Sequence, residues 1–419
     1  MIRLIEALNY RCLRYVHQPL GPFHVLVGPN ASGKTTFLDV VGFLGRVISD
    51  KLEDAIGDRT QDFQDLTFGR NGNSFELAIE AAIPEDRKAK LKKDFDTIRY
   101  EIRIGLDEEK NEPGILMEKA WLKPAEKPQH VQRSFFPETP TAPQTLVTGK
   151  AHSGWQSVLT KSASDNFYVE VRESNGGGKG WFPSIRLGPR KSALANLPED
   201  ETKFPVSTWL KNMLSEGVQK FELNSLSIRR AGPPSKGKGL KPDGSNLPWA
   251  ISELERPENK DRFDAWVQHL RTALPDLKVI KTVERADDRH RYLLLGYDGA
   301  MVVPSWMASD GTLRLLALTI PAYLPDFKGI CLIEEPENGI HPMAVETMYQ
   351  SLSSVYDSQI LLATHSPVIL SLADVAKVLC FKKTIHGATD IVAGKDHPAL
   401  KDWKGGVNLS VLFAAGVLG

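Results

Sequence analysis

At 419 residues the chain has length for roughly two or three domain-sized units, with the 41% hydrophobic and 25% charged residues of a globular protein. Lys and Arg together number 52, as do Asp and Glu, so overall charge selects no partner and any nucleic-acid contact has to come from a local patch. Three widely spaced cysteines, Cys12, Cys331 and Cys380, exclude a disulfide framework and a Cys-rich zinc site, and point to a reducing, cytoplasmic setting.

The start, Met1-Ile-Arg-Leu-Ile-Glu-Ala, lacks the apolar core of a signal peptide. No apolar run approaches the roughly 18 residues needed to cross a bilayer, so no membrane role is expected. Ile2 to Leu8 reads as a strand. Phe23-His-Val-Leu-Val27 is a short apolar run ending at Gly28, the pattern of a buried strand feeding a loop. Thr35 to Ile48 is apolar at helical spacing through Phe37, Leu38, Val41, Leu44, Val47 and Ile48.

From about 81 to 300 the pattern changes. Glu85 to Asp96 is a charged segment expected to form one helix. Ile98-Arg-Tyr-Glu-Ile-Arg-Ile104 alternates like a half-exposed strand. Prolines punctuate Phe136 to Pro143, and Asn175-Gly-Gly-Gly-Lys-Gly180 is a Gly-rich turn. There is no sustained heptad and no internal repeat. Buried-strand patterns then return. Lys328 to Ile333 leads into acids, and Gln359 to Thr364 leads into His365, with a helix expected over Met343 to Tyr356. Strand, helix and strand in that order imply a parallel sheet.

Four motifs carry chemistry. Gly28-Pro-Asn-Ala-Ser-Gly-Lys-Thr35 fits G-x-x-x-x-G-K-S/T between a strand and a helix. Its backbone N–H groups, from Asn30, Ala31, Ser32 and Gly33 to Thr36, would wrap a β-phosphate at the positive end of the helix. Lys34 would reach the β- and γ-phosphates of ATP, and the Thr35 hydroxyl would ligate Mg²⁺. Ile330-Cys-Leu-Ile-Glu-Glu-Pro-Glu337 puts two acids at a strand end, where ligands of parallel sheets bind. Glu334 would hold Mg²⁺ and Glu335 would deprotonate the attacking water. His365, at a third strand end, is either a structural histidine or a γ-phosphate contact. Ser309-Asp-Gly-Thr312 opens an apolar helix, either as a plain cap or as a second anion site.

In this order the motifs resemble ABC-type P-loop ATPase heads, and within them the RecF and OLD (overcoming lysogenization defect) branch. Leu8-Asn-Tyr-Arg-Cys-Leu13 resembles the branch's start. Ser309-Asp-Gly-Thr312 resembles its degenerate signature, and Glu334-Glu-Pro-Glu-Asn-Gly-Ile-His-Pro342 its acid motif and following loop. Asp243-Gly-Ser-Asn-Leu247 is similar to part of its insertion. The resemblance covers mainly residues 1–80 and 300–370.

It implies an α/β fold: an ABC-type head with a mixed sheet and a long α+β insertion between phosphate loop and signature. The expected division is 1–80 for the N-terminal part of the head, 81–300 for the insertion or lid, and 301–419 for the C-terminal part. The resemblance also implies a homodimer closed on two ATP molecules, with Ser309 and the N–H of Gly311 reaching the γ-phosphate held by the other copy's Lys34. A glutamine loop is expected, for which Gln64 is the candidate.

The OLD nucleases carry a nuclease domain after the head. Only about fifty residues follow His365, fewer than an ordinary domain needs. A nuclease or toxin activity is therefore expected on a separate effector protein. The expected role is the regulatory ATPase of an anti-phage or toxin-type defence system. Alternatives are a RecF-like DNA repair clamp and an ATP-gated scaffold with negligible turnover.

Three features stand outside the motifs. Residues 229–241 carry five basic groups and no acid, either a solvated loop or a non-specific contact to the DNA backbone. Trp181, Trp209, Trp249 and Trp266 are read as packing residues rather than base-stacking platforms. The C-terminus is apolar through Trp403, Leu409, Val411, Leu412, Phe413, Val417 and Leu418, as a docked final helix or as a surface for self-association or an effector.

Overall fold

The computed structural model describes residues 1–91, 93–107, 111–125, 135–150, 152–162, 168–171, 185–234, 239–400, 408–416 and 418. The Gly-rich turn from Asn175 to Gly180, Trp181, Lys236, Lys238, Trp403 and Val417 lie outside the described residues.

The central element is a six-stranded mixed sheet. Its order is Val218–Phe221, Gly329–Glu334, Ser358–Ala363, Phe23–Val27, Val378–Lys383 and Thr389–Ala393. The first five run parallel and the last is antiparallel. A strand buried on both faces sends successive side chains into two different cores. Leu26, Ile330, Leu332, Leu361, Ala363, Leu379 and Phe381 enter one hydrophobic cluster. Val25, Val27, Cys331, Ile333, Ile360, Leu362, Val378 and Cys380 enter the other.

The first cluster is closed by the Lys34–Ser49 and Pro205–Ser215 helices and by an eight-stranded antiparallel sheet. That sheet runs Leu13–Pro19, Ile2–Tyr10, Ser74–Ala82, Thr97–Leu106, Pro113–Lys123, Gln156–Ser162, Tyr168–Val171, Ile185–Arg186. The second cluster is closed by the Leu247–Leu254, Lys260–Arg271, Asp310–Thr319 and Pro342–Ser353 helices. A three-stranded sheet, Leu277–Glu284, Arg291–Tyr297 and Val302–Pro304, lies over those helices.

Residues 81–300 are threaded through the head. Thr97–Leu106 pairs directly with Ser74–Ala82, and Val218–Phe221 pairs with Gly329–Glu334.

Two local expectations are corrected. The charged segment from Glu85 forms a helix only over Glu85–Lys88, while Phe95 is buried in the first cluster from outside that helix and Leu91 packs against it. The strand around Ile98–Ile104 is buried on both faces rather than half-exposed. Its outward charges are consumed in a network. Arg99 pairs with Glu6, Glu80 and Glu101, while Glu101 accepts from the Thr148 N–H at 2.8 Å. Glu76 accepts from the Leu146 and Val147 N–H groups, and so the loop at 145–148 is laid over the sheet.

Trp266 is fully buried with its indole N–H on Thr319 Oγ1 at 2.9 Å, Trp249 donates to the Gly232 carbonyl at 3.0 Å, and Trp209 packs against the first cluster. All three are packing residues. The Leu409–Ala414 helix docks on Pro367–Leu372, with Leu409 and Leu418 buried and Val411 exposed. The three cysteines are free thiols. Among the described residues no helix is long and apolar enough to cross a membrane.

Candidate functional site: a phosphate-loop cleft at the sheet's C-terminal edge

The parallel strands end on one side of the sheet, and a cleft of about 350 Å³ opens there. It is lined by Asn30, Ala31, Ser32, Gly33, Lys34, Thr35 and Thr36 from the loop and helix start. Glu334, Glu335 and His365 line it from the neighbouring strand ends.

The loop's shape depends on two glycines. A Cβ on Gly28 would sit 2.3 Å from the Phe381 carbonyl oxygen. A Cβ on Gly33, which has φ +104°, would sit 2.2 Å from Thr389 Oγ1. Thr389 in turn donates to the Ser32 carbonyl at 2.9 Å, so the antiparallel edge strand pins the loop. Gly33 caps the Lys34–Ser49 helix without a side-chain bond, and the first turn holds no acid. The free N–H groups and the positive helix end therefore face the cleft.

The Lys34 ammonium donates to the Gly28 and Pro29 carbonyls at 2.8 and 3.0 Å. Burial lowers its pKa to about 8, with Glu335 and Glu334 opposing the shift. Thr35 Oγ1 donates to the Glu334 carboxylate, and Lys220 lies 3.6 Å from the same group. Glu335 has a left-handed φ of 45°, unusual for a side chain other than glycine. Its N–H is held by the Ala363 carbonyl at 2.8 Å and its carboxylate by Asn338 at 2.6 Å. Burial lowers the His365 pKa, and Lys34 adds to that, against Glu335 and Glu337. The imidazole is thereby held toward its neutral form.

Ser309 and Gly311 are not among the residues lining this cleft. Ser309 caps the Asp310–Thr319 helix by accepting from the Thr312 N–H at 3.1 Å. A Cβ on Gly311 would lie 2.6 Å from the Gly339 carbonyl oxygen, so the helix start packs on the loop that follows the paired acids. Gln64 sits in the 3₁₀ turn Phe63–Leu66 and does not line the cleft. Asp243-Gly-Ser-Asn-Leu247 is a structural turn, in which Asn246 accepts from the Lys241 N–H and donates to the Gly239 carbonyl.

Three cleft neighbours escaped the motif reading. Arg11 and Cys12, from the turn after Ile2–Tyr10, line one wall, and Cys12 Sγ lies 3.4 Å from Thr36 Oγ1. Asp39 lies 3.7 Å from Arg11, and Arg59 and Tyr10 both bond the same Asp39. Lys220 lies within the Val218–Phe221 strand beside Gly329–Glu334. Only the quoted Leu8–Leu13 segment signalled any of them.

The residues fit a nucleoside triphosphate with a divalent cation. Ser32 Oγ is buried without a partner in the loop, and the two glycines let the loop close against Phe381 and Thr389. Among the described residues no group of three His, Cys, Asp or Glu could hold a metal by itself. Thr35 and Glu334 are the oxygens that would hold Mg²⁺, with phosphate and water completing its shell.

Fold and site together define a P-loop ATPase head with the ABC-type fold. The structure is similar to a crystal structure of the SmcHead bound to the C-winged helix domain of ScpA. The TM-score is 0.52 at 13% identity, over 93% of this chain and 97% of that one. An Smc head domain with an extended coiled coil from Pyrococcus furiosus aligns at TM-score 0.48 and 13% identity, over 93% and 95%. A segment of 41 residues is 44% identical to an OLD nuclease of Thermus scotoductus (strain ATCC 700910 / SA-01); it spans 10% of this chain and 8% of the nuclease's length. Over residues 23–371 the chain belongs to the family described as "AAA domain, putative AbiEii toxin, Type IV TA system".

Proposed function

We propose that the chain is a Mg²⁺-dependent ATP switch: two copies close on ATP, and hydrolysis lets them part. The observation that carries this reading is the separation of two half-sites. Lys34, Thr35, Glu334, Glu335 and His365 share one cleft, while Ser309 and Gly311 stand outside it on the Asp310–Thr319 helix. A helix N-terminus outside that cleft suits a phosphate presented by a second copy.

In this scheme Lys34 exchanges the Gly28 and Pro29 carbonyls for phosphate oxygens. Thr35 and Glu334 would hold Mg²⁺, which neutralises phosphate charge when bound. Glu335 takes the proton of the attacking water, and Asn338 orients its carboxylate. His365, kept neutral by burial and Lys34, donates to the γ-phosphate or its leaving product. Loss of the γ-phosphate removes what joins the two copies, so ATP acts as a ligand selecting the closed state.

The biological role we assign is control of a separate effector in a toxin-type or anti-phage defence system. The family's description names a toxin–antitoxin system, and the short matched relative is a nuclease. Purifying Glu335→Gln from its host with and without Mg·ATP tests both levels. A closed dimer that appears only with ATP, together with a stoichiometric partner protein, is the expected result. Dimers equally abundant without ATP refute the switch. ATP-dependent nucleic acid without a protein partner refutes the effector role and favours a repair clamp.

A further inference from the structure

Glu337 stands two residues past Glu335, where the acid motif turns away from its strand. One of its oxygens, Oε1, accepts from the Thr364 hydroxyl at 2.6 Å and from the His365 backbone N–H at 3.1 Å. Thr364 is fully buried, and its N–H is fixed by the Leu26 carbonyl at 3.1 Å, on the strand that leads into the phosphate loop. The Thr364 oxygen also accepts from the Ser366 N–H at 2.9 Å. His365 is thus held before, at and after its own residue, and all of those bonds but the one to Leu26 run back to Glu337 directly or through Thr364.

Oε2 of Glu337 is buried with no partner, so the carboxylate commits all its hydrogen bonds to this one corner. A charged acceptor facing two donors makes short, directional bonds, worth more than a neutral turn would supply. A histidine at the end of a strand has freedom in χ1 and in the main-chain torsion that carries it over the cleft. This clamp removes the second of these.

We infer that Glu337 is a positioning residue. It ties the loop of the paired acids to the Thr364–His365 corner and so aims His365 at the phosphate loop. The inference rests on the ATPase reading above, and the tie itself spans two of the three strand ends that build the cleft. Movement of the acid loop is therefore transmitted to His365, and vice versa.

The test is a double-mutant cycle on steady-state ATP turnover with the full chain. Glu337→Ala is expected to lower kcat by about 10- to 100-fold, with KM for ATP little changed, as misaimed groups do. In His365→Ala background the same change should have an effect within about twofold, because the residue acts through the imidazole. Glu337→Gln keeps an acceptor oxygen for both donors and should restore most of kcat. Thr364→Val, which leaves Glu337 in place, should show a smaller loss that also vanishes in the His365→Ala background. It serves if Glu337→Ala fails to fold.

Losses that multiply, or a Glu337→Gln enzyme as slow as Glu337→Ala, overturn the positioning role while leaving the ATPase reading standing. A His365→Ala enzyme as fast as wild type overturns the role of His365 and with it this inference.

Discussion

Replacing Gly33 with alanine isolates what the phosphate loop's shape is worth. The backbone there has φ +104°, where an L side chain costs about 1–2 kcal/mol. The new Cβ would also lie 2.2 Å from Thr389 Oγ1 and 2.9 Å from its Cγ2, an overpacking that costs about 1–3 kcal/mol. Both terms are relieved only if the loop moves away from the edge strand, which undoes the Thr389 bond to the Ser32 carbonyl. The loop is also the candidate phosphate cradle, so the strain appears as lost affinity. The sum, about 2–5 kcal/mol, corresponds to roughly 30- to several-thousand-fold weaker ATP binding. The assay is equilibrium binding of a fluorescent ATP analogue, with far-UV circular dichroism to show that the chain is folded. Thr389→Ala in the Gly33→Ala background removes the close oxygen and methyl but not the backbone strain. It should recover the steric share alone, leaving a loss of about 5- to 30-fold. Full affinity in the single variant, or no recovery in the double, would refute the reasoning.

Three further outcomes follow from other parts of the molecule. His24, on the strand that feeds the loop, is buried, accepts from the Gly21 N–H at 2.7 Å and sits 3.2 Å from the Lys377 carbonyl; burial lowers its pKa to about 4. Its folded pKa lies below the unfolded value of 6.5, so the unfolded chain binds more protons between those values, and stability is lost as pH falls from about 6.5 to 4. The full effect is about 3 kcal/mol, and His24→Gln should flatten that limb of a denaturant-midpoint titration. Trp266→Ala should cost about 3–5 kcal/mol in urea unfolding, because the fully buried indole leaves a cavity and its N–H bond to Thr319 is lost; a loss under about 1 kcal/mol would contradict the packing. Ser309→Ala removes a helix cap worth about 1 kcal/mol, yet should leave ATP binding by the single copy intact while lowering turnover and ATP-dependent pairing. Unchanged turnover in sizing and phosphate-release assays would remove Ser309 from the mechanism.

The parts of this head that could be read in the sequence are those whose chemistry is local. Gly28 to Thr35 states its own geometry, since the glycines, lysine and hydroxyl are neighbours in the chain. Glu334, Glu335 and His365 were legible because each ends an apolar run, and parallel strands bring such ends together. Val218–Phe221 was not legible. It is a short edge strand with Gln219 and Lys220 inside it, and only its pairing with Gly329–Glu334 makes it a strand at all. Arg11 was quoted within a resemblance but given no task, because its neighbours Asp39 and Arg59 come from distant turns. The error over Ile98–Ile104 has the same origin. Alternating charge is the local signature of a wet face, and Arg99 and Glu101 would be wet if the loop at 145–148 were elsewhere. That loop stays because each buried charge meets an opposite charge or an N–H, satisfying groups that local pattern assigns to water. The Glu337 clamp belongs to this class too. Nothing near Glu337 in sequence says that its partners are Thr364 and His365, yet they join the acid strand end to the histidine strand end. Motifs point to the candidate reacting groups; the groups proposed to aim them are set by long-range pairing, and in this chain they must be sought there.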